Sequence, residues 1–133
     1  MRKLFLPTLL LCSALAAQEH PLPVAHREPP YDVAPSFPGG SEAMYRYFAD
    51  SLRYPEPERS KGKQGNVLVA FTVDVDGTIR NLRGVNGVPG APGLMREAFR
   101  LLEHMPLWEP ARKNGHPVAV EVNTSIPFRL RRR

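Results

Sequence analysis

The hydrophobic period of this chain changes several times, and each change marks an element. The first periodic stretch is FPGGSEAMYRYFADSLRYP, Phe37 to Pro55. Met44, Tyr47, Phe48 and Leu52 recur at helical spacing and form one apolar stripe, with Arg46, Asp50 and Arg53 off it. Ser41 reads as the N-cap, and Glu42 as a first-turn anion favoured by the helix dipole. Pro38-Gly39-Gly40 bars entry from the left. Pro55 biases Tyr54 out of helical geometry, so the helix ends there. Glu56 to Gln64 is a charged connector containing a proline.

The period then drops to two. Val67, Val69, Phe71, Val73 and Val75 alternate with Leu68, Ala70, Thr72 and Asp74, which predicts a strand. Asp76-Gly77 is expected to supply the positive-φ residues of a tight hairpin turn. Thr78 to Val85 returns as a second strand, and the phase slip between Ile79 and Leu82 predicts a bulge near Asn81. Gly84, Gly87, Gly90 and Gly93 then fall at every third position. The run is too short for a collagen helix and lacks the spacing of a phosphate loop, so it reads as a connector. A second helix is expected from about Ala91 to His104, burying Leu94, Met95, Ala98, Phe99 and Leu102. The last strand is the clearest signal. Val118, Val120, Val122, Thr124, Ile126, Phe128 and Leu130 share one parity, and Ala119, Glu121, Asn123, Ser125, Pro127 and Arg129 the other.

What precedes Phe37 has no apolar periodicity. Met1-Arg2-Lys3, a run from Leu4 to Leu15 and Ala14-Leu15-Ala16 together read as a cleavable secretory signal over residues 1–16, cut between Ala16 and Ala17. The run falls short of the roughly 20 residues that span a bilayer. Acylation at Cys12 and an uncleaved inner-membrane anchor are the alternatives, and Leu11 is a poor neighbour for the first. Six prolines between Glu19 and Pro38 mark residues 17–35 as an extended tether. Residues 36–133 are then the folded domain.

Removing the signal takes Arg2 and Lys3 from the 18 basic residues, so against 13 acids the formal charge falls from +5 to +3. Much of the excess sits in the tail from Arg129 to Arg133. No stacking aromatics flank it, so nucleic-acid binding is not expected. Cys12 is the chain's single cysteine, so the mature form would have neither disulfides nor thiol chemistry.

No catalytic set emerges. Asp74 and Asp76 open like a calcium loop but lack its later ligands and closing Glu. His104 and His116 have no partners at metal spacing. The Ser and His residues have no nucleophile elbow or supporting acid. Trp108 reads as a core plug rather than a stacking platform. The chain is therefore expected to be no enzyme and to need no cofactor or metal.

Backbone chemistry remains. Proline within a strand is tolerated essentially on an open edge. If Pro127 lies in the regular ladder, its parity names the unpaired side, which then carries the N–H and C=O groups of Ala119, Glu121, Asn123 and Ser125. The residues leave two readings open: a liability blunted by charge and proline, or a docking site for an extended peptide.

In this order, FPGG before a helix, RYP after it, QGNVLVAFTVDVDGTI, a helix with EAF, PLWEP and VNTSIPFRL resemble the C-terminal domain family of TonB, the periplasmic energy transducer of Gram-negative bacteria, in its Bacteroidetes-type form. The resemblance spans about Pro35 to Leu130. It implies an α+β fold, a three-stranded antiparallel sheet packed against two helices. It also implies a partner, the short N-terminal segment of a TonB-dependent outer-membrane receptor, added as a strand beside the last strand and near the Tyr-Pro segment. Carried over by position, the peptide-binding residues are Tyr54, Pro55, Ala119, Glu121, Asn123 and Ser125, and the setting is periplasmic transmembrane transport. A full transducer of this family has an uncleaved anchor that meets an inner-membrane motor, and a long spacer. Here the N-terminus reads as cleavable and the tether is short, which argues against a motor link. The alternative function is an envelope assembly or self-association domain, such as a homodimer formed through the same edge.

Overall fold

A computed structural model describes residues 29–131. The expected signal segment 1–16 with its Ala16–Ala17 cut, Cys12 and tether residues 17–28 lie outside the described residues. The elements are α1 (Ser41–Ser51), β1 (Gly65–Val73), β2 (Ile79–Asn86), α2 (Pro92–Glu103), β3 (Ala111–Lys113), β4 (His116–Val118) and β5 (Val120–Phe128). β1 is the central strand of an antiparallel sheet ordered β2-β1-β5, and β3 and β4 form a separate hairpin. This is the expected three-stranded sheet with two helices, plus one hairpin that the periodicity did not announce.

The alternation of β1 and of β5 sends one row of each inward. Val67, Val69, Phe71 and Val73 from β1 meet Ile126 and Phe128 from β5, and α2 adds Leu94, Ala98, Leu101 and Leu102. Phe48, Phe71, Phe128 and Leu101 are completely enclosed, each worth about 1.5–3 kcal/mol of transfer free energy. Trp108 is the plug it was expected to be. Its ring packs edge-on to Phe71 at 5.3 Å and to Phe37 at 6.0 Å.

The hairpin between β1 and β2 differs from expectation in one detail. Asp74 carbonyl accepts the Gly77 N–H and Asp74 N–H donates to Thr78 carbonyl, both at 2.9 Å, so three residues rather than two form the loop. Gly77 alone takes a positive φ, of 84°, and Asp76 instead holds the Thr78 N–H through its carboxylate at 3.0 Å. Val75 is exposed in this loop rather than continuing the buried row. A Cβ on Gly77 would stand 2.1 Å from the Trp108 carbonyl oxygen, while the Trp108 N–H donates to Gly77. The expected bulge is present: Asn81 is left-handed at φ 53°, and β2 uses an extra residue between Arg80 and Arg83 against β1.

Two helix assignments need correction. The N-cap of α1 is Gly40, not Ser41, because Pro38-Gly39 turns the chain so that the Gly40 N–H bonds to the Phe37 carbonyl at 2.8 Å and Met44 N–H returns to Gly40 at 3.1 Å. On α2 the buried stripe is Leu94, Glu97, Ala98, Leu101 and Leu102, and Met95 and Phe99 are only half-buried. A glutamate occupies the stripe, so following hydrophobicity alone rotates the face by about one residue.

That glutamate joins the helices. Glu97 Oε1 accepts the Arg53 N–H just past α1 at 2.8 Å, and both carboxylate oxygens take Arg100 at 2.6 and 2.9 Å. Arg100 in turn donates to the Ser51 carbonyl at 2.8 Å, covering an open group at the end of α1. A second buried carboxylate, Glu58 from the connector, accepts the Gly93 N–H at 2.7 Å at the positive end of α2. A side chain on Gly93 would press against that carboxylate at 2.5 Å.

Burial pushes the Glu97 carboxyl up, but hydrogen bonds from Arg100 and the Arg53 N–H, with both cationic charges, outweigh it and hold the group below its ordinary value of 4.5. Its stabilisation is therefore complete above that pH and is lost as pH falls through the lower folded value. Glu97→Gln should lower stability by about 1–2 kcal/mol at neutral pH. In urea unfolding followed from pH 7 to pH 3, the gap between variant and parent should close at the acid end.

Candidate functional site

The position of β5 follows from how β1 spends its backbone groups. Along an antiparallel strand, successive residues turn their N–H and C=O to alternate sides. Asp74 N–H points to β2, since it donates to Thr78. The even positions of β1 therefore face β2, and the odd ones face β5. The β1–β5 register runs without a break from Gly65–Phe128 to Val73–Val120. Val67, Val69, Phe71 and Val73 thus pair with Ile126, Thr124, Val122 and Val120. At the other end, the Leu130 N–H donates to Gln64 Oε1 at 2.7 Å, again an even residue of the last segment turned toward the β1 side.

The odd residues of β5 therefore turn their backbone groups away from the sheet. Glu121, Asn123, Ser125 and Pro127 lie there, and β5 is the terminal strand in the order β2-β1-β5. Pro127, which has no N–H, falls on this outward side, where the ladder demands none. Pro117 does the same in β4: Arg112 exchanges bonds with Val33, so Ala111 and Lys113 are the residues turned to β4, and their register partners are Val118 and His116. β2 is also terminal, but its pairing with β1 is interrupted at two places and it packs against α2. Of the two outer strands, only β5 is regular over nine residues.

The sequence-named residues fall along this edge in two groups. Glu121, Asn123 and Ser125 are on β5, and Ala119 is the exposed join between β4 and β5. The expected single strand from Val118 to Leu130 is thus two, because Val118 belongs to the hairpin with β3 and only Val120 begins the pairing with β1. Tyr54 and Pro55 sit at the opposite end from Ala119. The Tyr54 ring packs edge-on to Phe128 at 5.8 Å, and its hydroxyl donates to the Lys63 carbonyl. Burial raises the Tyr54 hydroxyl above its ordinary 10.0, an effect that Arg129 opposes and Glu58 reinforces. Tyr54 therefore stands as a neutral, half-buried post beside the Ser125–Phe128 end, and Pro55 follows it.

Glu121 is the only charged residue within β5. Its side chain lies on the outer face of the sheet, gripped by Arg83 of β2 through bonds of 2.5 and 2.9 Å. Arg83 reaches it across β1, where Ala70 is the register partner of Arg83 and Thr72 that of Glu121. Among the described residues no three His, Cys, Asp or Glu side chains converge as metal ligands, and no helix is long and apolar enough to cross a membrane.

The β3–β4 hairpin was missed although the chain announces it. Asn114-Gly115 takes φ 51° and 79°, the two-residue turn that Asn-Gly favours between strands. The lead-in is tied down beside it. Val33 and Ser36 bridge to Arg112 and Glu109, and the Asn114 N–H donates to Asp32 Oδ2 at 2.7 Å. Ordered pairing therefore begins a few residues before Ser36.

The two parities of β5 should respond differently to proline. Asn123→Pro removes an outward N–H and should leave most of the stability, whereas Thr124→Pro removes a bond to β1 and should cost about 3 kcal/mol or more. Thermal unfolding of the two variants, followed by circular dichroism, checks the order.

Comparison with known proteins extends the geometry. Residues 50–130 match the family described as Gram-negative bacterial TonB protein C-terminal. The solution structure of the Pseudomonas aeruginosa TonB C-terminal domain is 27% identical, with a TM-score of 0.50 over 62% of this chain and 81% of that one. The Helicobacter pylori TonB C-terminal domain is 20% identical, with a TM-score of 0.48 over 72% of this chain and 89% of that one. Among curated proteins there is no match. The family match takes in β1, β2, α2 and the whole β5 edge, and the chain belongs to the TonB C-terminal domain family.

Proposed function

We propose that this protein is an exported periplasmic module that binds short N-terminal segments of TonB-dependent outer-membrane receptors by strand addition along β5. The observation that supports the reading is the regular outward row of β5, with its unspent backbone groups at Glu121, Asn123 and Ser125. An extended segment can bond to all of them without any rearrangement of the core. At about 1 kcal/mol net per hydrogen bond, less the cost of ordering the segment, the affinity is no tighter than about micromolar. Such binding suits a partner that must be released after each transport cycle.

The proposal includes the processing of the chain: a signal over residues 1–16, a tether that ends where Asp32 and Val33 pair with Arg112 rather than at residue 35, and the binding domain from there to residue 133. It assigns the domain a binding role in transport and no chemistry of its own. The cleavable reading of residues 1–16 and the short tether argue against a link to an inner-membrane motor, and a domain without that link would bind without pulling.

Titration of the 15N-labelled chain with synthetic N-terminal receptor peptides tests the reading. The amides of Ala119, Glu121, Asn123 and Ser125 should shift, with smaller changes at Tyr54, and Asn123→Pro should abolish the effect. Absence of shifts along β5 at millimolar peptide would reject docking. A dimer that forms with rising concentration in sedimentation, without peptide, would instead assign the edge to a second copy of the chain.

A further inference from the structure

A groove of about 290 Å³ opens between the start of β2 and the end of α2. Its floor is apolar: Leu102 is buried, and Ile79, Leu82 and Met105 are half-buried along it. The loop after α2 fixes its walls. The Trp108 backbone N–H donates to the Gly77 carbonyl at 2.9 Å, and the indole N–H donates to Met105 Sδ at 3.3 Å. Leu107, on the rim, is 63% exposed, and Val75, in the turn that Trp108 holds, is 49% exposed. Large apolar side chains left in water beside an apolar floor mark a surface that gains by being covered. The volume falls at the bottom of the range for small-molecule sites, roughly 300–1,000 Å³. The groove therefore has room for one or two side chains and not for a cofactor.

Its rim is acidic, although the chain is basic as a whole. Glu103 lines the groove at the last position of α2, where the negative end of the helix dipole already favours a cation. Asp76 immediately precedes Gly77 and Thr78 of the lining, and its Oδ1 accepts the Thr78 hydroxyl at 2.6 Å. Among the described residues neither carboxylate is in an ion pair. The cations nearest in sequence are spent elsewhere. Arg80 pairs with Asp74 at 2.5 Å, and Arg100 is taken by Glu97 at 2.6 Å and by the Ser51 carbonyl at 2.8 Å.

We propose that this groove is a second docking surface, and that it takes a Leu- or Phe-sized side chain from a partner segment in which the next residue is Lys or Arg. The apolar side chain fills the floor beside Ile79, Leu82 and Met105 and covers Leu107. The neighbouring cation meets Glu103 and the end of α2, supplying the charge that the chain itself does not. The surface is independent of strand addition, because β2 and β5 lie on opposite sides of β1.

The test uses the 15N-labelled full chain and three capped dipeptides, acetyl-Leu-Lys-amide, acetyl-Leu-Glu-amide and acetyl-Ala-Lys-amide, at up to tens of millimolar. The Leu-Lys probe should shift the amides of Thr78, Leu102, Glu103 and Leu107 and leave those of Asn123 and Ser125 in place. It should bind about two- to fivefold tighter than Leu-Glu, the size expected for an exposed ion pair, and about 0.5 M salt should shrink that margin. The Ala-Lys probe should bind more weakly than Leu-Lys. Glu103→Gln, at an exposed helix end, should remove most of the preference for Lys, and Leu107→Ser should weaken both leucine probes. Absence of shifts around the groove would overturn the proposal. Equal binding of Leu-Lys and Leu-Glu, or of Leu-Lys and Ala-Lys, would do the same, as would a preference that Glu103→Gln leaves unchanged. A dimer in sedimentation that Leu107→Ser dissolves would give the groove to a second copy of the chain and overturn it as well.

Discussion

Every backbone N–H and C=O in the sheet has to be paired or wetted, and β1 alone has a strand on each side. It gives its even positions to β2 and its odd positions to β5, while its inward side chains fill the core. β5 then has only half of its bonding groups matched. Its even residues are committed twice, with their amides to β1 and their side chains, such as Ile126 and Phe128, to the interior. The odd residues are committed to neither. A sheet of three twisted strands is too small to close on itself, so the outer side of β5 has water as its alternative partner.

The other outer strand shows what protection looks like. β2 is bulged at two places and packs against α2, so it offers no straight row. β5 has no bulge. Its devices are the outward-facing Pro127, the Glu121–Arg83 pair lying flat on the outer face, and Pro117 just before it in β4. Prolines at the two ends limit how far an added strand can extend, and the middle stays accessible. The same residues that would discourage aggregation would also frame the docking site proposed above. Stability for this arrangement is supplied on the opposite side of the sheet, where Glu97, Arg100, Glu58 and Trp108 tie the helices and loops together.

Much of this was legible in the chain. The stripe of Met44 and Phe48, the alternation from Val67 to Val73 and the inward row of Thr124, Ile126 and Phe128 reflect single buried faces, which periodicity reports directly. The parity of Pro127 named the outward side of β5 because a missing N–H is a local, readable fact. Features that depend on tertiary partners were not readable. Glu58 and Glu97 look like surface charges until the helix end and the arginine that receive them are in place. Ser41 resembled a cap, but two glycines at positive φ had already turned the chain before it. The β3–β4 hairpin was overlooked for a different reason: its strands are three residues each, too short for a period, although Asn114-Gly115 marks the turn.

Amide hydrogen exchange across β5 in the free protein tests the central claim most directly. The account predicts alternation: slow exchange at Val122, Thr124, Ile126 and Phe128, which bond to β1, and fast exchange at Glu121, Asn123 and Ser125, which face water. Uniform protection of both sets would contradict it, because the outer side of β5 would then already have a partner.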